Sequence, residues 1–201
     1  MEGEYPFRLI LILGSSILFP IAAYHRVKSQ AAGDRLDRRQ EGLFILVTLR
    51  PVGVLCMLGL IAYMINPRWM AWSSMALPRQ LRWTGVGLGI IAGSLLIWTL
   101  RSLGRNLTDT VVTRREHTLV TRGPYRLVRH PFYLSVALAI AANALAAANW
   151  FVLGSGAAAL LLIANRTRKE EELLVARFGD AYRMYMERTG RFLPRSLGVR
   201  D

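Results

Sequence analysis

The stretch FYLSVALAIAANALAAANWFVLGSGAAALLLIAN, residues 132–165, contains no charged side chain and decides the fold class. One continuous helix over it would be about 50 Å long, well beyond the roughly 30 Å hydrocarbon core of a bilayer. Asn149 and Trp150 interrupt the run and are typical of a tight turn at the membrane interface. The stretch therefore predicts two antiparallel membrane spans. The first begins at Pro131, whose missing N–H suits the first turn of a helix.

Three more apolar segments precede this hairpin, and each approaches the roughly 20 residues that a membrane-spanning helix needs. They run from about Phe7 to Tyr24, from Leu43 to Ile65 and from about Trp83 to Leu100. The expected fold is thus an all-α integral membrane protein with five transmembrane helices. We divide it into residues 1–102, which contain helices 1–3 with their loops, and residues 103–201, which contain the hairpin and its flanking polar segments.

The composition agrees with a membrane protein and excludes other classes. The 201 residues are 53% hydrophobic and yet carry a formal net charge of +13. The basic residues lie in blocks between long uncharged stretches, so they do not form the continuous basic surface of a nucleic-acid-binding protein. We therefore expect no nucleic-acid partner. Cys56 is the single cysteine. No metal-ligand spacing accompanies His117 and His130, so no metal site is predicted.

The distribution of charge predicts the orientation of the spans. Segments 25–42, 101–132 and 165–201 hold 21 of the 26 Lys and Arg residues. Because basic loops stay on the cytoplasmic side, we expect the N-terminus outside, the C-terminus in the cytoplasm and contacts with anionic lipid. Arg outnumbers Lys by 24 to 2, which is typical of a GC-rich bacterial genome. The predicted location is a multi-pass protein of a bacterial inner membrane.

Two features lie inside the predicted spans. Gly85, Gly89 and Gly93 recur every four residues and form a flat face for close helix packing, either within one chain or against a second copy. Arg50 lies within the second span, where a charge costs at least about 2.5–3.5 kcal/mol on insertion scales. It either faces the bundle interior and a partner there, or extends along the helix to the nearby cytoplasmic interface.

Two predicted cytoplasmic segments contain more polar and aromatic side chains than simple connecting loops need. The first is HTLVTRGPYRLVRHPFY, residues 117–133, in which Gly123-Pro124 predicts a turn. The second is RTRKEEE, residues 166–172, in which Arg166 and Glu170 share one helix face at i, i+4. Contact with anionic lipid would explain the arginines. It would not explain two histidines and two tyrosines placed around a Gly-Pro turn.

These segments resemble the isoprenylcysteine carboxyl methyltransferase family and the related phospholipid methyltransferases. The family pattern is His-x-Leu-Val, Gly-Pro-Tyr and Arg-His-Pro-x-Tyr, then a helical hairpin, an Arg, a Glu-Glu pair four residues on, Phe-Gly and two tyrosines. The matching residues are His117, Leu119, Val120, Gly123, Pro124, Tyr125, Arg129, His130, Pro131, Tyr133, Arg166, Glu170, Glu171, Leu174, Phe178, Gly179, Tyr182, Tyr185 and the closing segment 191–194. The pattern's upstream glutamine, which some members carry, is Thr110 here.

The resemblance implies a membrane methyltransferase that uses S-adenosylmethionine, with a cytoplasmic cofactor site formed by the loop before helix 4 and the C-terminal helix. It assigns cofactor binding to His117, Thr118, Leu119, Val120, Tyr125, Arg129, His130, Pro131, Phe132, Tyr133, Glu170 and Glu171. It also gives Arg166 and Glu170 catalytic roles, and Arg166 contact with the acceptor. We add Arg50 as a second acceptor-binding residue because of its charge inside a span.

The acceptor is expected to be amphiphilic or lipid-like, but its reacting group stays open. The carboxylate of an isoprenylcysteine-type substrate is ionised at neutral pH and needs no general base. A phospholipid amine must lose a proton, for which His130 or Glu171 are the candidates. A small thiol is a further alternative acceptor. A non-catalytic membrane module, with no affinity for the cofactor, is the alternative from another functional class.

Overall fold

The structure is a computed structural model that describes residues 3–31, 45–104 and 118–195. The described residues form helices and no β-strand beyond two isolated bridges. The helices are α1 (Tyr5–Ala31), α2 (Arg50–Ile65), α3 (Arg79–Leu103), α4 (Pro131–Ala147), α5 (Trp150–Phe178) and α6 (Asp180–Arg188), with a π-helical turn at Ile45–Leu49 and 3-10 turns at Pro67–Ser73 and Gly123–Arg126. The all-α prediction is confirmed for this part of the chain.

Four of the helical segments are long and apolar enough to cross a membrane. They cover Tyr5–Lys28, Val47–Ile65, Arg79–Leu103 and Trp150–Phe178. The prediction of an integral membrane protein is therefore confirmed. The remaining predicted span is α4, which is apolar but has only 17 residues. At about 1.5 Å per residue it reaches roughly 26 Å, so the count of five spans stays a prediction.

The second predicted span is not one uniform helix. Residues Ile45–Leu49 are π-helical, and the regular α-helix begins only at Arg50. Pro51 explains the change, because it has no N–H to donate to the carbonyl four residues earlier and is best accommodated in a first helical turn. Arg50 is therefore the first residue of α2, with an exposed side chain, rather than a residue in the middle of a regular helix.

Helices α3 and α4 pack with their backbones close together. A Cβ on Gly85 would lie 2.7 Å from Cβ of Leu145 and 2.8 Å from the backbone nitrogen of Ala146. On the opposite side, Ala142 and Ala146 are almost fully buried. The prediction that the glycine face of the third span serves close packing is confirmed for Gly85, since nothing larger than a hydrogen fits there.

The hairpin between α4 and α5 turns at the predicted place. Ala148 ends α4 in the left-handed region with φ of 47°. Asn149 then caps α5, because its Oδ1 accepts a hydrogen bond from the Val152 N–H over 3.1 Å. Nδ2 of Asn149 donates to Oγ of Ser73 over 2.8 Å. The turn is thereby attached to the Pro67–Ser73 segment between α2 and α3.

Helix α5 continues beyond the predicted end of its span. It passes residue 165 without a break and ends at Phe178, where Gly179 adopts φ of 56° and separates it from α6. Arg166 and the Glu170–Glu172 segment therefore lie on the last turns of a long helix, as the i, i+4 spacing requires.

Candidate functional site

The candidate site forms where the loop before α4 meets the end of α5 and the chain after α6. The loop is shaped by Gly123, which has φ of 64° and is followed by Pro124 at the start of a 3-10 turn. A Cβ on Gly123 would meet Oγ of Ser102 at 2.3 Å, so the loop lies directly on the end of α3. The predicted turn at Gly123-Pro124 is confirmed.

Glu171 is the centre of a buried ionic cluster. Its Oε1 accepts a hydrogen bond from Nε of Arg129 over 2.9 Å, and Nε2 of His130 lies 3.1 Å from the same oxygen. Its Oε2 accepts from Nε of Arg191 over 3.1 Å and also from Nη2 of Arg191. The Glu171 side chain is only 5% exposed, so the two guanidiniums offset the cost of burying its charge.

The backbone strengthens the same junction. The N–H of Arg129 donates to the carbonyl of Gly190 over 2.8 Å, and the N–H of His130 donates to the carbonyl of Arg191 over 3.1 Å. Nη1 of Arg129 donates to the carbonyls of Met186 and Thr189. The segment after α6 therefore pairs with the loop before α4, and it brings Arg191 to Glu171.

Glu170 faces a different group of side chains from its neighbour. The hydroxyl of Tyr133 donates to Oε2 of Glu170 over 2.9 Å, which joins α4 to α5. The Tyr133 ring stacks on the His130 ring with centroids 5.6 Å apart and meets the Phe132 ring edge-on at 5.8 Å. Glu170 thus lies half-buried at the hydroxyl edge of an aromatic cluster, whereas Glu171 is enclosed by cations.

Tyr125 connects the loop before α4 to helix α6. The hydroxyl of Tyr185 on α6 donates to the carbonyl of Tyr125 over 2.6 Å. Burial, and after it the negative charge of Glu170, raise the pKa of Tyr125 well above its usual value. Its hydroxyl therefore stays protonated at neutral pH.

Arg166 lies one turn before Glu170 on α5 and is within electrostatic range of the Tyr133 hydroxyl. The next residue, Thr167, is fully buried and donates to the carbonyl of Ala164 over 2.7 Å. Arg166 and Glu170 thus share the helix face that the spacing predicts, next to the aromatic residues of α4.

Most of the predicted site residues meet at this junction. Six of them belong to the two clusters just described: Arg129, His130, Phe132, Tyr133, Glu170 and Glu171. Pro131 begins α4 between them, and Tyr125 and Arg166 adjoin them.

The other predicted site residues are placed differently. Thr118 is exposed, and Leu119 and Val120 are half-buried on the approach to the Gly123-Pro124 turn, so their contact with a cofactor stays a prediction. His117 lies outside the described residues. Arg50 is on another helix, α2. Sγ of Cys56 on α2 lies 3.8 Å from the carbonyl of Val152 on α5. Counting residues from that contact, back along α2 to Arg50 and forward along α5 to Arg166, places the two arginines about 12 Å apart along the bundle axis. Its role toward an acceptor also stays a prediction.

Arg191 was not predicted as a site residue, although it belongs to the closing segment of the motif. It follows Glu171 by 20 residues in another element, and no periodicity relates the two positions. The one available signal is hydrogen bonding, because a carboxylate buried beside an arginine needs further donors for its remaining lone pairs.

An apolar helical bundle with a polar and aromatic cluster at one end is typical of an integral membrane protein. Residues 85–176 match the model of the Isoprenylcysteine carboxyl methyltransferase (ICMT) family. The match runs from within α3 to near the end of α5, and it confirms the resemblance to that family seen in the motifs. The match contains every predicted site residue except Arg50. No curated protein matches the chain.

Proposed function

We propose that this protein is an integral-membrane methyltransferase that uses S-adenosylmethionine and modifies an amphiphilic acceptor. One observation carries the proposal. Within the segment that matches a methyltransferase family, the Tyr133 hydroxyl holds the carboxylate of Glu170 at the edge of the aromatic cluster that Tyr133 forms with His130 and Phe132. A carboxylate next to aromatic faces suits a positively charged ligand, because both interact favourably with a cation.

The residues of the junction fit the proposed cofactor by their chemistry. S-adenosylmethionine, when bound, supplies a methyl group on a positively charged sulfur. Glu170 and the Tyr133 ring bind that cation, and His130 and Phe132 complete the aromatic wall. Arg129 and Glu171 act behind this wall, where they hold the loop before α4 against α5. The protein's main task is then to align the acceptor with the methyl group, because the electrophile is already activated.

Arg166 is the residue that we assign to the acceptor. It lies one turn from Glu170, so its guanidinium can orient an anionic group toward the same space. If bound here, S-adenosylmethionine would supply the methyl group to an acceptor oxygen and would leave as a neutral thioether. Arg166 fixes the angle of attack by binding the acceptor's other oxygen.

The surroundings of Glu171 favour an acceptor that needs no general base. Both of its oxygens accept hydrogen bonds from arginines, which stabilise the charged carboxylate and make it a poor proton acceptor. His130 is already turned to Glu171. A carboxylate such as that of an isoprenylcysteine-type molecule is therefore our preferred acceptor. Phospholipid amines and small thiols are the alternatives that the same residues leave open.

Calorimetric titration of the detergent-solubilised chain with S-adenosylmethionine or its demethylated product tests the proposal. We expect saturable binding, and Glu170→Ala should weaken it about tenfold or more, since a charge-assisted contact is worth about 1.5–3 kcal/mol. Glu172→Ala is the matched control, because Glu172 is exposed two residues further along the same helix. A folded protein without saturable binding would make the non-catalytic membrane module the better interpretation.

A transfer assay with methyl-labelled cofactor identifies the acceptor. It compares a prenylated cysteine carboxylate, a lipid amine and a small apolar thiol at equal concentration. Label on the carboxylate supports the preferred acceptor. Label on the amine with none on the carboxylate would contradict it and would make His130 the first candidate for a general base.

A further inference from the structure

A cavity lies at the end of the bundle opposite the candidate active site. It has a volume of about 460 Å³ and is enclosed by the start of α1, the end of α2, the Pro67–Ser73 segment and the α4–α5 turn. Asn149, which lines the cavity, caps the start of α5, and Glu171 lies 22 residues further along that helix. The cavity and the Glu171 cluster are therefore about 33 Å apart. The cavity is within the size range of small-molecule sites and belongs to neither cluster described above.

The walls of this cavity are fixed by hydrogen bonds between elements. Nε and Nη2 of Arg8 donate to the carbonyls of Met64 and Ile65 over 2.6 Å and 2.7 Å, which ties α1 to the end of α2. The N–H of Met75 donates to the carbonyl of Ala148 over 2.7 Å. Together with the Asn149–Ser73 bond, these contacts preform the cavity, so little ordering is needed when a ligand enters.

The charge around the cavity is positive. Arg8 and Arg68 line it, and Glu4 is the one acidic residue in its lining. The carboxylate of Glu4 is already bound by Nη1 and Nη2 of Arg82 over 2.6 Å and 2.8 Å and by the Tyr63 hydroxyl over 2.7 Å. The cavity therefore favours an anion, and guanidinium groups are well suited to the oxygens of a phosphate.

The remaining lining and the position of the cavity favour a lipid. Met70, Met75 and Ala147 contribute apolar surface to the same lining as the two arginines. Trp69, Trp72 and Trp150 are exposed around the same end of the bundle, and Trp72 meets Trp150 edge-on at 5.3 Å. Exposed tryptophans are typical of the interface between lipid and water, so the cavity lies at the depth of phospholipid headgroups.

We propose that this cavity binds the headgroup of an anionic membrane phospholipid. The phosphate contacts Arg8 and Arg68, and the glycerol and first acyl carbons cover Met70 and Met75. The bound lipid joins α1, α2 and the α4–α5 turn at the end of the bundle remote from the candidate active site. This inference is independent of the proposed methyltransferase activity.

Native mass spectrometry of the delipidated full chain in a neutral detergent tests the inference. Phosphatidylglycerol and phosphatidylcholine with identical acyl chains are titrated separately. We expect one tightly retained phosphatidylglycerol, with phosphatidylcholine bound about tenfold more weakly, since both guanidiniums favour a net negative headgroup. Equal retention of the two lipids would overturn the proposal.

Matched arginine variants distinguish lipid binding at this site from a general effect of surface charge. Arg68→Gln removes an exposed side chain of the lining and should weaken phosphatidylglycerol binding about five- to tenfold. Arg79→Gln removes an exposed arginine at the first residue of α3, outside the lining, and should change nothing. Equal losses in the two variants, or no loss in Arg68→Gln, would overturn the proposal.

Two further measurements identify the source of the phosphate. Ala71→Trp introduces bulk into the lining and should lower the affinity for both lipids. Glycerol 3-phosphate supplies the same phosphate chemistry without acyl chains, and it should compete only at concentrations about a hundredfold or more above those of the lipid. Competition at equal concentration would assign the cavity to a soluble phosphate compound and contradict the lipid.

Discussion

Nε2 of His130 lies 3.1 Å from Oε1 of Glu171, which connects the residue before α4 to a carboxylate on α5. Because a carboxylate only accepts hydrogen bonds, this nitrogen carries a proton and donates it. The same imidazole stacks on Tyr133, whose hydroxyl binds Glu170. The two adjacent glutamates are thus linked through His130 and Tyr133. We expect Glu171 to hold the aromatic rings in position, while Glu170 contacts the cofactor.

Replacing Glu171 by Gln should destabilise the whole junction. Arg129 would keep a buried charge without its carboxylate partner, and breaking a buried ion pair in this way costs about 3–5 kcal/mol. Thermal unfolding in detergent measures the loss. Glu172→Gln on the exposed side of α5 should leave the midpoint nearly unchanged. An unchanged midpoint for Glu171→Gln would show that the cluster does not hold the loop to α5.

Removing the hydroxyl of Tyr133 should weaken cofactor binding without unfolding the protein. Tyr133→Phe keeps the ring stacked on His130 but loses the hydrogen bond to Glu170, so we expect a rise in Kd of about three- to tenfold. The double variant with Glu170→Ala should bind no more weakly than Glu170→Ala alone, because Tyr133 acts through that carboxylate. Additive losses would mean that the two side chains act separately.

Arg166→Ala should impair acceptor turnover and leave the cofactor Kd unchanged. The loss of one charge-assisted contact to the acceptor corresponds to a fall of about tenfold or more in kcat/KM. Arg168→Ala is the matched control, since Arg168 is exposed two residues along the same helix. Equal effects of Arg166→Ala on cofactor affinity and on turnover would contradict this division of roles between Arg166 and Glu170.

The sequence could predict those parts of the fold that follow from helix length and local spacing. An uncharged run of 34 residues is too long for one span, so a turn at Asn149 was required, and the structure has it there. Arg166 and Glu170 were placed on one face by the 3.6-residue period alone. Both inferences need only nearby residues and elementary helix geometry.

Contacts between distant segments could not be predicted in the same way. The pairing of Arg129 and His130 with Gly190 and Arg191 joins positions about 60 residues apart, and neither segment has a period that identifies its partner. Arg82 is a second example. Its place just before an apolar span suggests a solvated loop charge, yet the structure buries it against Glu4, which lies 78 residues earlier.

The tight contact of α3 with α4 gives a test of packing with an internal control. Gly85→Ala places a Cβ within 3 Å of Leu145 and Ala146, so α4 must move, and we expect a loss of about 1–3 kcal/mol. Gly87→Ala, on the same helix with nothing within 4 Å, should gain up to about 1 kcal/mol from helix propensity. Unfolding midpoints that move in the same direction for both variants would contradict the packing argument.

The contribution of the Glu4–Arg82 pair to stability should depend on pH. The hydrogen bond from Arg82 holds the pKa of Glu4 below its usual value of 4.5. A carboxyl group whose pKa is lowered by folding stabilises the folded state above its unfolded pKa, and this contribution is lost as the pH falls through the folded value. Glu4→Gln removes the titrating group, so its unfolding midpoint should lie below that of the original protein at pH 7.

The difference between the two midpoints should then shrink as the pH is lowered below about 4.5, where Glu4 of the unfolded chain takes up a proton, and it should vanish once the pH is below the lower pKa of Glu4 in the folded protein. Asp180→Asn serves as the control. It breaks an ion pair with Arg183 in which the carboxylate is 86% exposed, and such a pair adds little to stability at any pH. A difference for Glu4→Gln that stays constant from pH 7 to pH 3 would mean that the bond to Arg82 does not depend on the charge of Glu4.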